Sequence, residues 1–324
     1  MMRVVFMGSS AASAECLRAL LREETLEVVG VVTQPDRPAG RGKTLTANPL
    51  AQFAEKASLE VIKPESVNSP EAMAKIKAWA PDVCAVVAYG QILRKELLDL
   101  PRFGCVNCHF SLLPKYRGAA PVIASVLSGD RMTGVTVMHM GEKLDDGPIM
   151  LQSFEPIYPD TTGGALMDDL AIAGGVALAK ALRLLEAGKL PNEIPQNHAD
   201  ATYVKKLKKE DGHIVWDSPV LEIERKIRAY SPWPGCFSFL PERFRKKGMQ
   251  GRVVVTRAEF AKVNEREKEV AAGTVIRLEK NGPVVKGHDT ALVLTELKPE
   301  GSSLMDGAAF LRGRPLKPFE DILS

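Results

Sequence analysis

Short runs of β-branched and apolar residues alternate with helical patterns through the first third of the chain, and this alternation constrains the fold more than any other feature. The strand-like runs are Arg3–Met7, Glu27–Thr33, Glu60–Ile62, Val83–Val87 and Gly104–His109. Helical patterns separate them at Ala11–Arg22, Pro49–Ala57 and Pro70–Trp79. Repeated strand–helix–strand units indicate a parallel sheet with helices on both faces. We therefore predict an α/β, doubly wound, Rossmann-like domain.

The pattern continues beyond this region with a different rhythm. A helix is predicted near Pro121–Leu127, and two strand-like runs, Gly134–Met140 and Ile149–Ile157, follow it without an intervening helix. Two successive strands of this kind indicate that the second part of the sheet is mixed. A long Ala- and Leu-rich helix is predicted from the Thr161-Thr162 pair, which supplies its cap, to about Ala187.

After Asp217 the chain changes to short β-patterned runs separated by Gly, Pro and charged residues. These runs are Cys236–Leu240, Gly251–Thr256, Gly273–Leu278 and Ala291–Leu297. Such spacing predicts a small β-barrel or sandwich. Because 324 residues are more than one core usually contains, we predict two domains, at 1–188 and 209–324, joined by a linker at 189–208.

Basic residues are concentrated toward the end of the chain. The net charge is only +3, but residues 205–324 contain 23 Lys and Arg against 17 Asp and Glu, whereas residues 1–204 contain 20 against 23. An excess of this size is compatible with binding a polyanion such as a nucleic acid, and it is equally common on solvated surfaces. Charge alone therefore leaves both interpretations open.

The cysteines and the N-terminal segment bear on location. Five cysteines, an odd number, are scattered among apolar residues, which is typical of reduced thiols. The apolar run Val4–Met7 is too short for the core of a signal peptide, and no stretch is long enough to span a bilayer. We expect a cytoplasmic protein with no membrane partner.

Three apparent cofactor motifs do not withstand inspection. Cys105–His109 matches the C-x-x-C-H pattern of covalent haem attachment, but such proteins are exported, and no second cysteine pair follows to form a zinc site. Gly8 is not followed by the other glycines of G-x-G-x-x-G, which disfavours a nicotinamide cofactor. Gly40–Lys43 lacks the spacing of a P-loop, so we predict a flexible basic loop there.

The strongest polar constellation lies at the end of the strand Gly104–His109. Asn107 and His109 are two positions apart and therefore project to one side, at the carboxyl end where open α/β sheets bind ligands. The acidic turn Leu144–Pro148 follows later in the chain, and acidic turns usually reflect only turn chemistry. Placed beside His109, however, one carboxylate of this turn, Asp145 or Asp146, would orient the imidazole and raise its pKa, and the residue pattern leaves open which one.

Segments Gly104–Pro121 and Leu144–Gly147 together resemble the shared core of the folate-dependent formyltransferases. Thr33–Lys43 and Arg228–Gly235 are similar to the members of that family that formylate methionyl-tRNA. The resemblance covers nearly the whole chain. It implies a Rossmann-like catalytic domain and an OB-like C-terminal barrel, which transfer a formyl group from 10-formyltetrahydrofolate to initiator methionyl-tRNA without a metal.

The same resemblance assigns residues to three roles. Asn107 and a protonated His109 would donate hydrogen bonds to the oxyanion, and Asp145 would hold His109 and help to move protons through a water molecule. The residues expected to bind folate are Ser111, Leu112, Leu113 and Pro114, together with Tyr89, Gly90 and Gln91. The residues expected to bind tRNA are Arg37, Arg41, Lys43, Lys206 and Lys209.

Three other interpretations remain at this point. A family member with a different acceptor, such as a sugar-nucleotide amine or glycinamide ribonucleotide, is disfavoured by the loop Arg37–Lys43 and the basic C-terminal third. A non-catalytic nucleic-acid-binding protein would have no need of Asn107, His109 and Asp145 together. A nicotinamide oxidoreductase is disfavoured by the residues after Gly8. We expect the protein to be a monomer.

Overall fold

The computed structural model describes residues 1–39, 44–245 and 247–324. They form two compact units, the first made of Met1–Val122, Arg131–Pro156 and Leu166–Lys205, and the second made of Ile123–Asp130, Ile157–Ala165 and Lys206–Ser324. Residues 189–205, which are most of the predicted linker, thus belong to the first unit. Arg41 and Lys43, predicted to bind tRNA, lie outside the described residues.

The N-terminal part of the chain alternates strands and helices as the sequence predicts. The strands are β1 (Met2–Gly8), β2 (Leu26–Val32), β3 (Arg37–Ala39), β4 (Thr44–Thr46), β5 (Val61–Ile62), β6 (Val83–Val87), β7 (Cys105–His109), β8 (Arg117–Gly118), β9 (Met132–His139), β10 (Ile149–Pro156) and β11 (Tyr203–Val204). The helices are α1 (Ala11–Leu20), α2 (Pro49–Lys56), α3 (Pro70–Ala78), α4 (Lys95–Leu98), α5 (Pro121–Ser128) and α6 (Gly163–Glu186).

Seven of these strands form one sheet, in the order β10-β9-β7-β6-β1-β2-β5. The five strands from β7 to β5 are parallel, whereas β9 runs antiparallel to both β7 and β10. The strand order reverses between β1 and β6, where open α/β sheets bind their ligands. The Rossmann-like fold and the mixed second part of the sheet, both predicted from the sequence, are confirmed.

Polar caps explain where the first three helices begin. The side chains of Ser10, Asn48 and Ser69 each accept a hydrogen bond from the backbone N–H three residues later, which satisfies one of the free donors of the first turn. Pro49 and Pro70 occupy the first positions of α2 and α3, where proline already has the helical φ and needs no N–H donor. Local sequence therefore fixes these boundaries.

The carboxyl edge of the sheet depends on a close approach at Gly8. A Cβ added to Gly8 would lie 2.6 Å from the carbonyl oxygen of Val87 and 2.6 Å from the Cβ of Ser13. Ser13 Oγ donates to the Val87 carbonyl at 2.7 Å, so the first turn of α1 closes directly on the end of β6. Only glycine leaves room for this contact.

The second unit contains an antiparallel sheet. Its strands are β12 (Cys236–Phe239), β13 (Arg252–Ala261), β14 (Val275–Glu279), β15 (Gly282–Lys286), β16 (Ala291–Pro299) and β17 (Met305–Asp306), and its further helices are α7 (Val220–Ala229), α8 (Glu265–Lys268) and α9 (Gly307–Gly313). The strand order is β12-β13-β16-β15-β14, with β17 paired to β16. The predicted β-rich C-terminal domain is present, and closure into a barrel stays a prediction.

The prediction from sequence did not include β15 or the amphipathic helix α7. The run Gly282–Lys286 begins with Gly-Pro, which local rules assign to a turn. Tertiary pairing of β15 with both β14 and β16 overrides that preference. Within the described residues, no helix combines the length and the apolar character needed to cross a membrane.

Two adjacent glycines allow α6 to pack closely against β7, against Phe110 directly after it, and against α1. A Cβ added to Gly174 would lie 2.9 Å from Phe110 Cε1 and 3.0 Å from Cys108 Sγ. A Cβ added to Gly175 would lie 2.8 Å from the Ala19 Cβ. The large ring of Phe110, next to His109 in the sequence, is therefore accommodated by the absence of a side chain at position 174.

We predict that Gly174→Ala destabilises the protein despite the higher helix propensity of alanine. The added methyl group contacts Phe110 and Cys108 too closely, and overpacking of a core usually costs about 1–3 kcal/mol, which exceeds the propensity gain of roughly 0.5–1 kcal/mol. Urea-induced unfolding would measure the free energy of unfolding. Gly313→Ala is the control, because no atom lies within 4 Å of its added Cβ. Equal stability of the two variants would contradict the packing account.

Candidate active site

The end of one strand and one loop bring Asn107, His109 and Asp145 together at the carboxyl edge of the sheet. Asn107 and His109 end β7, and Asp145 lies in the loop between β9 and β10. Asn107 Nδ2 lies 3.5 Å from Asp145 Oδ1, and His109 Nδ1 lies 3.7 Å from Asp145 Oδ2. A separation of 38 residues between Asn107 and Asp145 in the sequence is thus closed by the antiparallel pairing of β9 with β7.

Asp145 is held by a backbone donor that the sequence did not reveal. The N–H of Gly118, on β8, donates to Asp145 Oδ2 at 2.8 Å. Asp145 itself has φ +50°, a conformation that is uncommon for residues with a side chain and relatively tolerated by Asp and Asn. Asp145 therefore adopts a turn conformation, as expected for this acidic segment, and also holds its carboxylate in a defined position.

The His109 imidazole is buried, and its orientation is set by a carbonyl oxygen. His109 Nε2 lies 3.0 Å from the backbone oxygen of Tyr116. Because a carbonyl oxygen only accepts, Nε2 must carry a proton, and in the neutral ring Nδ1 is then the unprotonated nitrogen that faces Asp145. The neutral imidazole can therefore accept a proton at Nδ1.

Burial lowers the pKa of His109 below its ordinary value, because the charged form loses its hydration. The Asp145 carboxylate and the Tyr116 carbonyl both act in the opposite direction, but burial outweighs them. Asp145 therefore acts on the pKa of His109 in the predicted direction, but burial, which the sequence did not reveal, makes the net shift a lowering. A lowered pKa favours the neutral imidazole at pH 7.

The loop at residues 111–114 divides into interior and accessible side chains. Ser111 Oγ donates to the Lys115 carbonyl at 2.7 Å, and Leu113 is buried with Met138 and Ile149. Both side chains therefore support the loop. Leu112 and Pro114 are partly exposed and available to a ligand.

Thr136 on β9 fixes the backbone of this loop. Its Oγ1 donates to the Ser111 carbonyl at 2.6 Å and accepts from the Leu113 N–H at 3.0 Å. Gln152 adds a donor to the Leu113 carbonyl at 3.1 Å. A rigid loop is therefore attached to the same sheet edge that carries His109.

The segment Tyr89–Gln91, after β6, presents its backbone more than its side chains. The Tyr89 ring is buried, its hydroxyl has no hydrogen-bond partner among the described residues, and burial raises its pKa. Gln91 Oε1 accepts from the Val67 N–H at 2.7 Å, which directs its amide away from a ligand. Gly90 is exposed with φ +82°. Contacts to a ligand here would be made by main-chain groups.

A second polar cluster, which sequence reasoning missed, lies where β1 and β2 end. Thr33 Oγ1 donates to Asn48 Oδ1 at 3.0 Å, Asn48 Nδ2 donates to the Gln34 carbonyl at 3.0 Å, and the Gln34 N–H donates to Ser9 Oγ at 3.2 Å. Ser9 and Thr33 each follow a predicted strand, which was an available signal. The cluster fixes the loops on the other side of the point where the strand order reverses.

The predicted tRNA-binding residues that the structure describes are exposed. Arg37, on β3, forms an ion pair with Glu65 at 3.2 Å, and both side chains are largely exposed. Lys206 and Lys209 are exposed residues of the second unit. In the described part of the chain, no group of three or more His, Cys, Asp or Glu side chains has the arrangement of a metal site; the metal-free reaction stays a prediction.

Family models match both parts of the chain. One described as formyl transferase matches residues 2–182, and another described as formyl transferase, C-terminal domain, matches residues 206–315. The structure is also similar to HypX from Aquifex aeolicus, solved in complex with tetrahydrofolic acid, with a TM-score of 0.60 at 16% identity over 96% of this chain and 47% of HypX. That similarity concerns the fold alone. A formyl transferase is the class that the fold and the matched models define.

Two relatives of similar length indicate which kind of formyl transferase this chain resembles. The methionyl-tRNA formyltransferase of Bacillus velezensis is 42% identical over 319 residues, which cover 98% of this chain and 96% of that protein. The methionyl-tRNA formyltransferase of Symbiobacterium thermophilum is 41% identical over 314 residues, covering 97% and 93%. The chain belongs to the methionyl-tRNA formyltransferase family.

We predict that the pKa of His109 lies below about 6.5 and falls further in Asp145→Asn, because that variant removes the charge that favours the imidazolium. NMR titration of labelled histidine would measure both values, with the signal assigned by its loss in His109→Gln. Since the unfolded chain regains the ordinary pKa, the contribution of His109 to the free energy of unfolding is complete above about pH 6.5 and is lost as the pH falls. A higher pKa in Asp145→Asn would contradict the assignment.

Proposed function

We propose that this chain transfers the formyl group of 10-formyltetrahydrofolate to the free amino group of initiator methionyl-tRNA. The observation that carries the proposal is the near-complete coverage of methionyl-tRNA formyltransferases at 41–43% identity. The juxtaposition of Asn107, His109 and Asp145 at the sheet edge supports it chemically. The product, formylmethionyl-tRNA, is used to initiate translation.

Formyl transfer to an amine is an acyl transfer with three requirements. The nucleophilic amine must lose its proton, the oxyanion of the tetrahedral intermediate must be stabilised, and the departing folate nitrogen must gain a proton. One group that accepts a proton early and returns it late can serve the first and third requirements. Fixed donors near the carbonyl oxygen can serve the second.

Asn107 is suited to donate to the oxyanion. Its bond to Asp145, at 3.5 Å, lies at the long limit of a hydrogen bond, so little is lost when Nδ2 turns to a stronger acceptor. A preorganised donor of this kind is typically worth about 3–4 kcal/mol of barrier. The sheet holds the backbone of Asn107 through pairing with β6 and β9.

His109 is proposed to work through both protonation states. The neutral ring accepts a proton at Nδ1 as the amine attacks, and the resulting imidazolium is stabilised by Asp145. The imidazolium then donates a hydrogen bond to the oxyanion and, as the intermediate collapses, returns its proton through a water molecule to the departing folate nitrogen. The distance of 3.7 Å between Nδ1 and Asp145 Oδ2 exceeds a hydrogen bond, and such contacts often tighten only when substrate binds.

The folate cosubstrate is proposed to bind at the segments Ser111–Pro114 and Tyr89–Gln91. Leu112 and Pro114 supply partly exposed apolar surface for a flat ring, and the backbone around Gly90 supplies donors and acceptors for its polar edge. These segments follow β7 and β6, which are adjacent in the sheet. The donor would therefore lie beside His109.

The tRNA is proposed to contact Arg37, Arg41 and Lys43 near its acceptor end, and Lys206, Lys209 and the rest of the basic C-terminal part through its phosphates. We propose catalysis in residues 1–188 and tRNA binding in residues 209–324, an OB-like barrel, joined by residues 189–208, of which residues 189–205 belong to the first compact unit. The active form is a cytoplasmic monomer that needs no metal, and its five free cysteines suit a reducing compartment.

The direct test is incubation of the protein with methionyl-tRNA and 10-formyltetrahydrofolate labelled in the formyl group. Label should be recovered on the amino group of the aminoacyl end. Sugar-nucleotide amines and glycinamide ribonucleotide should remain unlabelled under the same conditions. Labelling of either in preference to methionyl-tRNA would replace the proposed acceptor.

In this assay, Asn107→Ala and His109→Ala should each lower turnover by about 100- to 1000-fold, because each removes an oxyanion donor or the proton carrier. Binding of methionyl-tRNA, measured by filter retention, should change little. Lys115→Ala is the control, since Lys115 is an exposed residue of the same region. Near-normal turnover in both site variants would refute the mechanism.

Arg41→Ala should reduce transfer to methionyl-tRNA and weaken its salt dependence. One phosphate contact contributes about 0.9 unit of slope on duplex nucleic acid. Slow hydrolysis of 10-formyltetrahydrofolate should be unchanged, because this half-reaction needs only the residues around His109. Equal losses in both activities would assign Arg41 to folding, and no loss in either would assign it to solvated surface.

A further inference from the structure

A segment that local sequence marks as a linker returns to the active-site loops. The return segment, residues 194–204, begins at Ile194, which exchanges two backbone hydrogen bonds with Ile149 at 2.8 and 2.9 Å. It ends in β11, which pairs in parallel with β8. All of these residues belong to the first unit. The return segment is therefore built into the edge of the sheet that carries His109 and Asp145.

This pairing also fixes the backbone partners of the two catalytic side chains. The N–H groups of Tyr116 and Arg117 donate to Thr202 Oγ1 and to the Thr202 carbonyl, both at 2.8 Å. Tyr116 supplies the carbonyl that orients His109, and Gly118 supplies the N–H that binds Asp145. The return segment thus supports His109 and Asp145 through the short loop between β7 and β8.

Gln196 is the one side chain of the return segment that reaches the Asp145 loop with its donor group. Its Nε2 donates to the Asp145 carbonyl at 3.0 Å and to the Gly147 carbonyl at 2.7 Å. Gln196 is only 7% exposed, so these bonds form out of contact with bulk water. Two carbonyls on either side of Asp146 are thereby held by one amide.

Arg117 decides which way the Gln196 amide points. Its Nη2 and Nε atoms donate to Gln196 Oε1 at 2.8 and 3.3 Å. A guanidinium has only donors, so it requires the amide oxygen on its side and leaves the NH₂ group for the two carbonyls. Arg117 also donates to Tyr203 Oη and to His198 Nδ1, each at 3.2 Å.

Burying the charged Arg117 guanidinium costs free energy, which argues against a side chain that merely fills space. This residue is 2% exposed, and within the described residues the hydrogen-bond acceptors of its side chain are the Gln196 amide oxygen, the Tyr203 hydroxyl and His198 Nδ1, none of which is a carboxylate. Burying a cation without an anionic partner costs free energy unless its donors are satisfied. Here the Arg117 donors orient the Gln196 amide, which in turn hydrogen-bonds to the Asp145 loop.

The hydrogen bonds from Gln196 stabilise the backbone of Asp145, which lies in the left-handed region with φ +50°. A non-glycine residue in this region costs on the order of 1 kcal/mol and persists only where its surroundings hold it. Loss of the bonds from Gln196 would let residues 145–147 relax. The carboxylate would then move relative to His109 Nδ1 and Asn107 Nδ2.

We propose that Gln196, oriented by Arg117, is a positioning residue that holds the Asp145 loop in its catalytic geometry. This inference rests on the proposed function, because it assigns Gln196 a role only through Asp145. A displacement of about 1 Å in a catalytic group commonly costs on the order of 100-fold in rate. Gln196 itself touches neither substrate nor the reacting atoms in this scheme.

The first test compares Gln196→Ala and Gln196→Glu with Asn197→Ala in the formyl-transfer assay. Both Gln196 variants should lower kcat by about 10- to 100-fold with little change in the KM values for folate and tRNA. Glutamate nearly preserves the shape and can still accept from Arg117, but it presents an acceptor to two carbonyls. Asn197 is exposed, and its side chain hydrogen-bonds within its own turn, to Ala199 and Asp200, so its variant should retain full turnover.

The second test is a double-mutant cycle with Asp145→Asn. If Gln196 acts through Asp145, Gln196→Ala should add less than about 3-fold to the loss already caused by Asp145→Asn, because coupled residues are not additive. The acid limb of the kcat–pH profile should move to lower pH in Gln196→Ala, the direction expected when the Asp145 charge recedes from His109. A merely structural role would give full additivity and an unmoved profile.

The outcomes separate this inference from the proposed function. Absence of formyl transfer by the unaltered protein would refute the proposed function. An active protein that loses turnover in Asp145→Asn but keeps it in Gln196→Glu would refute the positioning role alone. Full turnover of Gln196→Glu combined with a loss in Gln196→Ala would show that Gln196 only fills space.

Discussion

The distance between the buried His109 imidazole and the Asp145 carboxylate is the constraint on which the rest of this structure depends. Burial lowers the pKa of the imidazole, and the carboxylate opposes that shift only while it stays within a few ångströms. The balance decides whether His109 can accept and return a proton near neutral pH. Neither residue can move without changing that balance.

Backbone groups, more than side chains, maintain this distance. The Tyr116 carbonyl orients His109, and the Gly118 N–H binds the Asp145 carboxylate. Gly118 belongs to β8, Tyr116 directly precedes β8, and β8 pairs with β11. In our proposal the Gln196 amide completes the arrangement from the opposite side of Asp145. Main-chain donors and acceptors suit this task because the sheet fixes their positions and they have no rotamers to lose.

The scaffold and the choice of acceptor are separable features. HypX shares the fold at 16% identity, which shows how much sequence can change while the fold remains. Function therefore has to be argued from the site and from close relatives, not from the fold. In this chain the carboxyl edge of β6 and β7 would supply the chemistry, whereas the exposed basic residues would supply affinity for tRNA.

The sequence determined the α/β units, because the periodicity of helices and strands is a local property. Ser10, Asn48 and Ser69 also mark the starts of the first three helices at the level of single residues. The sequence also determined that Asn107 and His109 share one side of a strand. It could not determine that Gly118 binds Asp145, since backbone donors leave no trace in residue identity. The direction of the His109 pKa shift and the position of Gln196 were likewise decided only by the tertiary structure, because burial and long-range pairing depend on segments distant in the chain.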